Sequence, residues 1–306
     1  TESRLPQDGA IRSTINRLNL DLRVSSLPTV YGEKIVIRIL DYSMSLGGLE
    51  TLGFSQGNFV KINKFVNKPN GIILVTGATG TGKSTTVYTM LQKLNTISRN
   101  VITVEDPVEM KLSGVNQVQT MSEIGLTFAN ALRSILRQDP DVIMIGEIRD
   151  NETARIAVRA SITGHLVLST IHTNNSLNTI ERLVDMDVER YLLGSALEGI
   201  VSQRLCKQLC PKCRSSRKAT PYEQAVFKSA LHMDVTDIYT PVGCSECYNG
   251  YHGRVALHEV LEINQSIRDA IVNNMKKEDL RHLIYDDKNM ISLLQDGLLK
   301  VMQGLT

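Results

Sequence analysis

The chain has 306 residues, of which 42% are hydrophobic and 22% charged, a composition typical of a globular protein of about two domains at ~150 residues each. Its formal net charge is +2, and no run of Lys or Arg forms the basic stripe that is typical of proteins binding duplex nucleic acid. No apolar stretch reaches the ~18 residues of a membrane-spanning helix, so none is predicted.

Alternating side chains dominate the first forty residues. Residues 21–40 alternate apolar with polar positions on both sides of a turn that ends at Gly32, which predicts two strands. The stretch 43–57 is richer in Gly and Ser and is typical of a linker. The chain begins at Thr1 rather than Met, and we expect that an N-terminal part has been removed.

From Gly71 onward, apolar strands alternate with amphipathic helices, the order that is typical of a parallel α/β sheet. The predicted strands are 71–76, 101–104, 142–145 and 165–170, and the predicted helices are 84–95, 128–137 and 152–162. Beyond Asn178 we expect mostly helical segments, including a helix over 222–231, interrupted by pairs of cysteines.

The segment 77–84 matches the pattern G-x-x-x-x-G-K-[ST] and lies between a predicted strand and a predicted helix. Small residues let successive backbone N–H groups point at phosphate oxygens, and the N-terminus of the following helix adds positive potential. Lys83 is expected to reach the β- and γ-phosphates of ATP, and the Ser84 hydroxyl to ligate Mg²⁺. The predicted nucleotide contacts are Gly77, Ala78, Thr79, Gly80, Thr81, Gly82, Lys83, Ser84 and Thr85.

Polar side chains follow three further strands. Glu147 comes after the strand 142–145, where an acid can hold the Mg²⁺ shell or orient water, and the alternative is a surface-loop carboxylate. Glu105 and Glu109 follow the strand 101–104, where an acid could act as general base for water, although a solvated acidic turn explains the spacing equally well. His172 follows the strand 165–170 and could sense a γ-phosphate, whereas spacing alone favours a packing role.

Four segments occur in a fixed order along the chain: 77–84, 103–109, 139–150 and 164–174. They resemble the Walker A, Asp, Walker B and His boxes of the secretion ATPases, also called traffic ATPases, which are the motors of type II secretion and type IV pili. The resemblance extends from Arg4 to the C-terminus. It implies a RecA-like core that hydrolyses ATP to drive mechanical work.

The resemblance also implies roles for the acids and the histidine. Glu109 becomes a candidate water activator with Glu105 beside it, Glu147 becomes the Walker B carboxylate, and His172 becomes a γ-phosphate contact. The main water activator stays open between these three acids.

The same resemblance implies a role for two arginines near the N-terminus. Arg23 and Arg38 match positions of a small domain whose arginines reach nucleotide across a domain or subunit boundary. An always-charged guanidinium that forks onto phosphate oxygens suits this task. The alternative is that both are outward residues of half-exposed strands, and Arg133 is a weaker candidate because a helical Arg is most often solvated.

Four of the five cysteines form two C-x-x-C pairs, Cys210 with Cys213 and Cys244 with Cys247. Four thiolates at this spacing are typical of a closed, structural Zn²⁺ site, and two redox pairs are the competing interpretation. Cys206 is the odd thiol and is expected to be structural. Cysteines in metal-type pairs rather than in a disulfide framework fit a reducing cytoplasm. Among the secretion ATPases that the chain resembles, assembly and secretion motors commonly carry this four-cysteine element, and pilus retraction motors lack it. The resemblance therefore favours pilus extension or type II secretion.

The predicted fold is α/β, with a partial N-terminal α/β domain and linker over 1–48 and a RecA-like P-loop NTPase core over 49–205. A zinc element follows over 206–248, and a mainly helical C-terminal region over 249–306. The resemblance implies a homohexamer that uses ATP and Mg²⁺ at the inner face of the cytoplasmic membrane. It would act on an inner-membrane platform protein of a pilus or secretion machinery, without nucleic acid. The alternatives are a DNA-translocating P-loop ATPase and a nucleotide-gated scaffold without hydrolysis.

Overall fold

The computed structural model describes residues 2–15, 18–41, 46–286 and 290–306. It begins with an antiparallel sheet of three strands, β1 (Gln7–Ile15), β2 (Leu18–Thr29) and β3 (Gly32–Asp41), in that order. The two predicted strands are confirmed, and β1 is an addition. The described part of 1–48 contains no helix, so the expected α/β character is not seen there, because its apolar residues alternate with a period of two.

The predicted linker ends earlier than expected. After the residues 42–45, which lie outside the described part, the chain forms a short 3-10 helix at Leu49–Leu52 and then helix α1 (Gln56–Val66). Ser55 caps α1 by accepting a hydrogen bond from the Asn58 backbone N–H at 3.3 Å. Ser55 and Gln56, at the end of the predicted linker, are therefore the cap and the first residue of a helix rather than part of a connection.

Strands and helices then alternate through the middle of the chain. They are β4 (Gly71–Thr76), α2 (Lys83–Leu94), β5 (Val101–Glu105), β6 (Asn116–Gln119), α3 (Phe128–Ile135), β7 (Val142–Ile145), α4 (Asn151–Ile162), β8 (Leu166–Ile171), α5 (Ser176–Asp185) and α6 (Arg190–Ala196). The predicted elements are confirmed, with ends that differ by a residue or two. The polar strand β6 is an addition, and its partial exposure follows from its place at the edge of the sheet.

The last third of the chain corrects the prediction that strands give way to helices beyond Asn178. Its elements are β9 (Leu197–Leu209), β10 (Ser215–Lys218), α7 (Pro221–Leu231), β11 (Asp237–Thr240), β12 (Tyr251–Glu262), α8 (Gln265–Val272), α9 (Lys277–Tyr285) and α10 (Leu293–Met302). Helix α7 confirms the helix predicted over 222–231. The strands β9 and β12 have 13 and 12 residues and pair with each other in an antiparallel register. Polar side chains such as Gln203 interrupt the apolar pattern by which β9 could be recognised. They can be buried there because their hydrogen-bond partners lie in other segments of the chain.

Seven of the described strands form the central sheet in the order β12-β9-β4-β8-β7-β5-β6, parallel except at the β12–β9 pair. All six residues of β4 are buried, and successive side chains enter different cores. Ile72 and Leu74 face the core beneath α3, α4, α5 and α6, whereas Ile73 and Val75 face the core beneath α1 and α2. The predicted boundary between 205 and 206 falls inside β9, so the sheet continues past it.

This topology brings the carboxyl ends of β4, β8, β7 and β5 to one edge of the sheet, where the loops that follow them carry polar residues. In the part of the chain that the structure describes, no helix is both long and apolar enough to cross a membrane.

Candidate active site

Glycines shape the phosphate-binding loop, residues 77–84, that follows β4. Gly77, Gly80 and Gly82 have φ angles of 154°, 77° and 85°, which side-chain-bearing residues rarely adopt. A Cβ atom at Gly77 would lie 2.5 Å from the carbonyl oxygen of Gln203. Helix α2 begins at Lys83, so the loop lies at a helix N-terminus, where unpaired N–H groups and the helix dipole favour an anion.

Lys83 is buried against this loop. Its Nζ donates hydrogen bonds to the carbonyl oxygens of Gly77 at 2.9 Å and of Ala78 at 3.0 Å. Burial lowers the pKa of Lys83, the Glu147 carboxylate acts in the opposite sense, and Arg204 lowers the pKa again.

Glu147 lies two residues beyond β7 and is hydrogen-bonded within its own loop. Its Oε1 accepts a hydrogen bond from the Arg149 guanidinium, which raises the pKa of Arg149. Its Oε2 lies 3.3 Å from His172 Nε2, after β8. Although these two atoms are close, they do not form a hydrogen bond. Glu147 Oε2 is buried and accepts no hydrogen bond from any described residue. A buried carboxylate oxygen without a partner is costly, and it suits a bound cation or an ordered water.

The structure separates the two acids that follow β5. Glu105 is buried, and its Oε1 accepts hydrogen bonds from Thr103 Oγ1 at 2.6 Å and from Gln117 Nε2 at 3.0 Å. Its Oε2 accepts a hydrogen bond from the Tyr88 hydroxyl. The Glu109 side chain is exposed and makes no hydrogen bond or ion pair with the residues that the structure describes. Glu109 is therefore the acid of this pair that can contact water.

Arg23 and Arg38 stand opposite each other on β2 and β3, so their side chains share one face of the N-terminal sheet. Both line a cleft of about 1400 Å³ between this sheet and the core. Arg23 Nη2 donates to the carbonyl oxygen of Val108 at 3.4 Å, one residue before Glu109. Arg133 instead forms an exposed ion pair with Glu152 and is not brought into this group.

Two residues at this edge are missing from the sequence prediction. Gln203 is buried on β9, and its Nε2 donates to the carbonyl oxygen of Thr81 at 2.8 Å while its Oε1 accepts from Thr86 Oγ1 at 2.7 Å. Arg204 Nη2 donates to Asn174 Oδ1 at 3.2 Å, in the loop that carries His172. A Gln-Arg pair within an apolar run was the available signal, since polar residues on a buried strand need partners.

The four paired cysteines form one cluster. Their Sγ atoms all lie within 4.8 Å of one another, and the closest pairs are 3.6 Å apart, between Cys213 and Cys247 and between Cys244 and Cys247. A disulfide requires about 2.05 Å between sulfurs, whereas thiolates placed tetrahedrally at ~2.3 Å from one zinc ion lie ~3.8 Å apart. The geometry therefore fits a four-thiolate metal site. Cys206 lies on β9 and is not a member of this cluster.

A central strand that runs into a glycine-rich loop and a helix, with acids at the ends of neighbouring parallel strands, is the architecture of the P-loop nucleoside-triphosphate-binding proteins. The chain belongs, more narrowly, to the family of type II/IV secretion system proteins, whose family model matches residues 1–306. The resemblance to the secretion ATPases is thereby confirmed.

Individual relatives carry the names of both branches of this family. The chain is 48% identical over 306 residues to the putative type II secretion system protein E of Escherichia coli (strain K12), covering 100% of this chain and 62% of that protein. It is 45% identical over 307 residues to the type IV pilus assembly ATPase PilB of Thermus thermophilus, covering 100% of this chain and 34% of that protein. The crystal structure of the pilus retraction motor PilT with bound ADP matches with a TM-score of 0.70 at 29% identity, covering 98% of this chain and 75% of that one.

Proposed function

We propose that this chain is the catalytic part of an ATP-hydrolysing motor that powers type IV pilus extension or the assembly of a type II secretion pseudopilus. The observation that carries the proposal is the phosphate-binding loop, with Lys83 buried against it and with Glu147 at the end of a neighbouring parallel strand of the same sheet. Lys83 stands at the N-terminus of α2, and Glu147 Oε2 is buried without a hydrogen bond to a described residue. Relatives with names from both systems support the choice of machinery.

The residues at this edge fit Mg²⁺ together with a triphosphate. Glu147 Oε2 is a buried acceptor without a hydrogen bond to a described residue, and the Ser84 hydroxyl stands at the first turn of α2 beside Lys83. These two side chains would hold the ion, directly or through water. When bound, Mg²⁺ supplies positive charge that neutralises the oxygens of the transferred phosphoryl group.

The chain's own residues then divide the work of hydrolysis. Lys83 exchanges its contacts with the carbonyl oxygens of the loop for β- and γ-phosphate oxygens. Glu109, exposed and without a partner among the described residues, orients the attacking water and accepts its proton. Glu147 is the second acid able to orient this water. His172, 3.3 Å from Glu147, reports the presence of the γ-phosphate to the loop after β8.

Arg23 and Arg38 connect hydrolysis to movement. Their place on the sheet that faces the 106–112 segment allows a shift of this sheet to bring guanidinium groups to the nucleotide or to withdraw them. In a closed ring of six copies, arginines of one subunit would serve the site of the next, since head-to-tail interfaces generate rings. The ring would act on a platform protein at the inner face of the cytoplasmic membrane.

The four thiols are assigned to a structural zinc ion. Three of the six sulfur separations are 3.6–3.9 Å, close to the ~3.8 Å edge of a tetrahedral site, and all lie within 4.8 Å. Four protein ligands leave no open position for chemistry. The ion would tie the turn after β9 to the turn before β12.

Phosphate release from the purified protein with Mg²⁺ and ATP tests the proposal. Lys83→Ala should reduce turnover to background, whereas Lys34→Ala, an exposed lysine on β3, should leave it unchanged. Equal rates for Lys83→Ala and the unmodified protein would contradict the enzyme assignment. Nucleotide binding without phosphate release would favour a nucleotide-gated scaffold, and strong stimulation of release by DNA would favour a DNA-translocating ATPase.

A further inference from the structure

The hydroxyl of Tyr88 joins the helix that follows the phosphate-binding loop to the segment that carries Glu109. Tyr88 is buried on α2, and its hydroxyl donates a hydrogen bond to Glu105 Oε2. The same oxygen accepts the backbone N–H groups of Glu109 at 3.2 Å and of Met110 at 3.3 Å. A phenol has one donor and two acceptor sites, so every site of this hydroxyl is used.

Other side chains hold the rest of the 106–112 segment by its backbone. Gln117 Oε1 accepts the N–H of Leu112 at 2.7 Å, and Gln119 Oε1 accepts the N–H of Val108 at 3.3 Å, both from β6. Arg23 reaches the Val108 carbonyl from the N-terminal sheet. Tyr88 differs from these anchors because it comes from α2, the helix whose first residues hold the phosphates. Its contacts fall directly on the catalytic acid and the residue after it.

We propose that Tyr88 is a positioning residue for hydrolysis, which sets the place of Glu109 relative to the phosphate-binding loop. The inference rests on the proposed function, since it gives Glu109 the task of orienting water. The backbone N–H of Glu109 donates to Tyr88, whereas its carboxylate is exposed and has no hydrogen bond to a described residue. The carboxylate is thus positioned through its backbone and can still contact water. Glu105, fully engaged by Thr103, Gln117 and Tyr88, supports the phenol and is not the water activator.

The phenol is suited to a permanent link. Burial and the adjacent Glu105 carboxylate raise the pKa of Tyr88 far above its ordinary value, so the hydroxyl keeps its proton throughout the working range of pH. Helix α2 is continuous from Lys83 to Leu94, so a displacement of its first turn on nucleotide binding moves Tyr88 as well. Through this link, Glu109 would move together with the first turn of α2 when the phosphates bind to the loop.

Steady-state ATP hydrolysis by Tyr88→Phe tests this assignment. We expect kcat to fall ~10-fold to 100-fold, the cost of misplacing a reacting group by about 1 Å, while KM changes less than ~3-fold. Tyr222→Phe makes the same chemical change at an exposed tyrosine on α7 and should keep both constants. Unchanged kcat in Tyr88→Phe, with an active unmodified protein, would overturn the inference and leave the proposed function standing.

A double-mutant cycle separates positioning from general support. If Tyr88 acts through Glu109, then Tyr88→Phe should reduce kcat by less than ~3-fold in a Glu109→Gln background. The same loss in both backgrounds would overturn the inference, because the phenol would then act independently of the acid. An inactive unmodified protein would instead reject the proposed function.

Hydrogen exchange at single amides gives a readout that does not depend on activity. In Tyr88→Phe the amides of Glu109 and Met110 lose their acceptor and should exchange at least ~10-fold faster. The Leu112 amide donates to Gln117 and should be unchanged. Unaltered exchange at Glu109 and Met110 would show that the hydroxyl does not hold these amides and would overturn the positioning role. A variant that no longer folds would assign the hydroxyl to fold stability and would overturn it as well.

Discussion

The side-chain nitrogen of Gln203 lies 2.8 Å from the carbonyl oxygen of Thr81, so a strand 122 residues further along the chain holds the phosphate-binding loop. The same side chain accepts a hydrogen bond from Thr86 in the first turns of α2. The loop and the helix that follows it are thus fixed by one buried amide. The conformation of the phosphate-binding loop depends on β9 as well as on its own glycines.

Gln203→Leu should destabilise both the fold and the nucleotide site. The change leaves the Thr81 carbonyl and the Thr86 hydroxyl without partners, and each unpaired buried group costs about 1–3 kcal/mol. We expect a lower free energy of unfolding in urea and a KM for ATP raised several-fold. Gln56→Leu, at an exposed position of α1, is the matched control. Equal KM values for Gln203→Leu and the unmodified protein would show that the loop keeps its shape without β9.

Removing either arginine of the N-terminal sheet should impair hydrolysis far more than binding. Arg23→Ala and Arg38→Ala should each lower kcat at least ~10-fold, since arginines that stabilise phosphoryl transfer contribute ~10³–10⁵ in kcat. The dissociation constant of a non-hydrolysable ATP analogue should change less than ~3-fold. Arg133→Ala removes an exposed arginine paired with Glu152 and should have neither effect. Normal turnover by both variants in an assembled ring would reject the role in hydrolysis.

The purified protein should contain one zinc ion per chain, measured by elemental analysis. Cys213→Ser removes one of the four converging sulfurs, so we expect loss of zinc and a lower melting temperature. Cys206 lies outside the cluster, so Cys206→Ser should keep the zinc and the melting temperature of the unmodified protein. Native protein without bound metal, or a Cys213→Ser variant with a full complement of zinc, would contradict the site.

A buried histidine should make the fold sensitive to acid. His258 is fully buried beside Phe54, and neither ring nitrogen has a hydrogen bond to a described residue. Burial and Lys300 lower the pKa of His258 from 6.5 to about 3. The unfolded chain therefore binds one more proton than the native chain between these values, and stability falls as pH falls from 6.5 toward 3.

This contribution can be isolated by measuring the free energy of unfolding at pH 7.5 and at pH 5. The histidine should account for a loss of about 2 kcal/mol at pH 5, at 1.36 kcal/mol for each pH unit below 6.5. His258→Leu should lose about that much less than the unmodified protein on acidification. His252→Leu, at an exposed position, should keep the original slope. Identical slopes for His258→Leu and the unmodified protein would show that this imidazole is not buried in its neutral form.

Most of the α/β alternation between Gly71 and Asp185 could be predicted from the sequence. Buried parallel strands are short apolar runs, and their helices carry an apolar face, so each element is specified by neighbouring residues. The strands β9 and β12 could not be recognised in the same way. A polar residue such as Gln203 argues against a buried strand when only the sequence is considered. Its burial is explained by hydrogen bonds to Thr81 in the phosphate-binding loop and to Thr86 in α2, which the sequence does not reveal.

Some features of the candidate site could likewise be predicted from the sequence, and others could not. By itself, the sequence determined the phosphate-binding loop, because a glycine-rich turn and a helix start are local features of contiguous residues. It also determined the two cysteine pairs, since few functions other than metal binding need that spacing. The acids and His172 were candidates from their places after strands. The family resemblance, carried by four short boxes in a fixed order, gave them specific roles and added the arginines.

Only the tertiary structure decided what each acid beyond the loop can do. Glu105 and Glu109 are four residues apart and chemically alike, yet Glu105 is buried and accepts three hydrogen bonds, whereas Glu109 is exposed. Their difference comes from Tyr88 on α2 and Gln117 on β6, which the parallel sheet brings to the same edge. Burial and hydrogen bonding are set by residues distant in sequence, and these two factors decide whether a carboxylate supports the fold or contacts water.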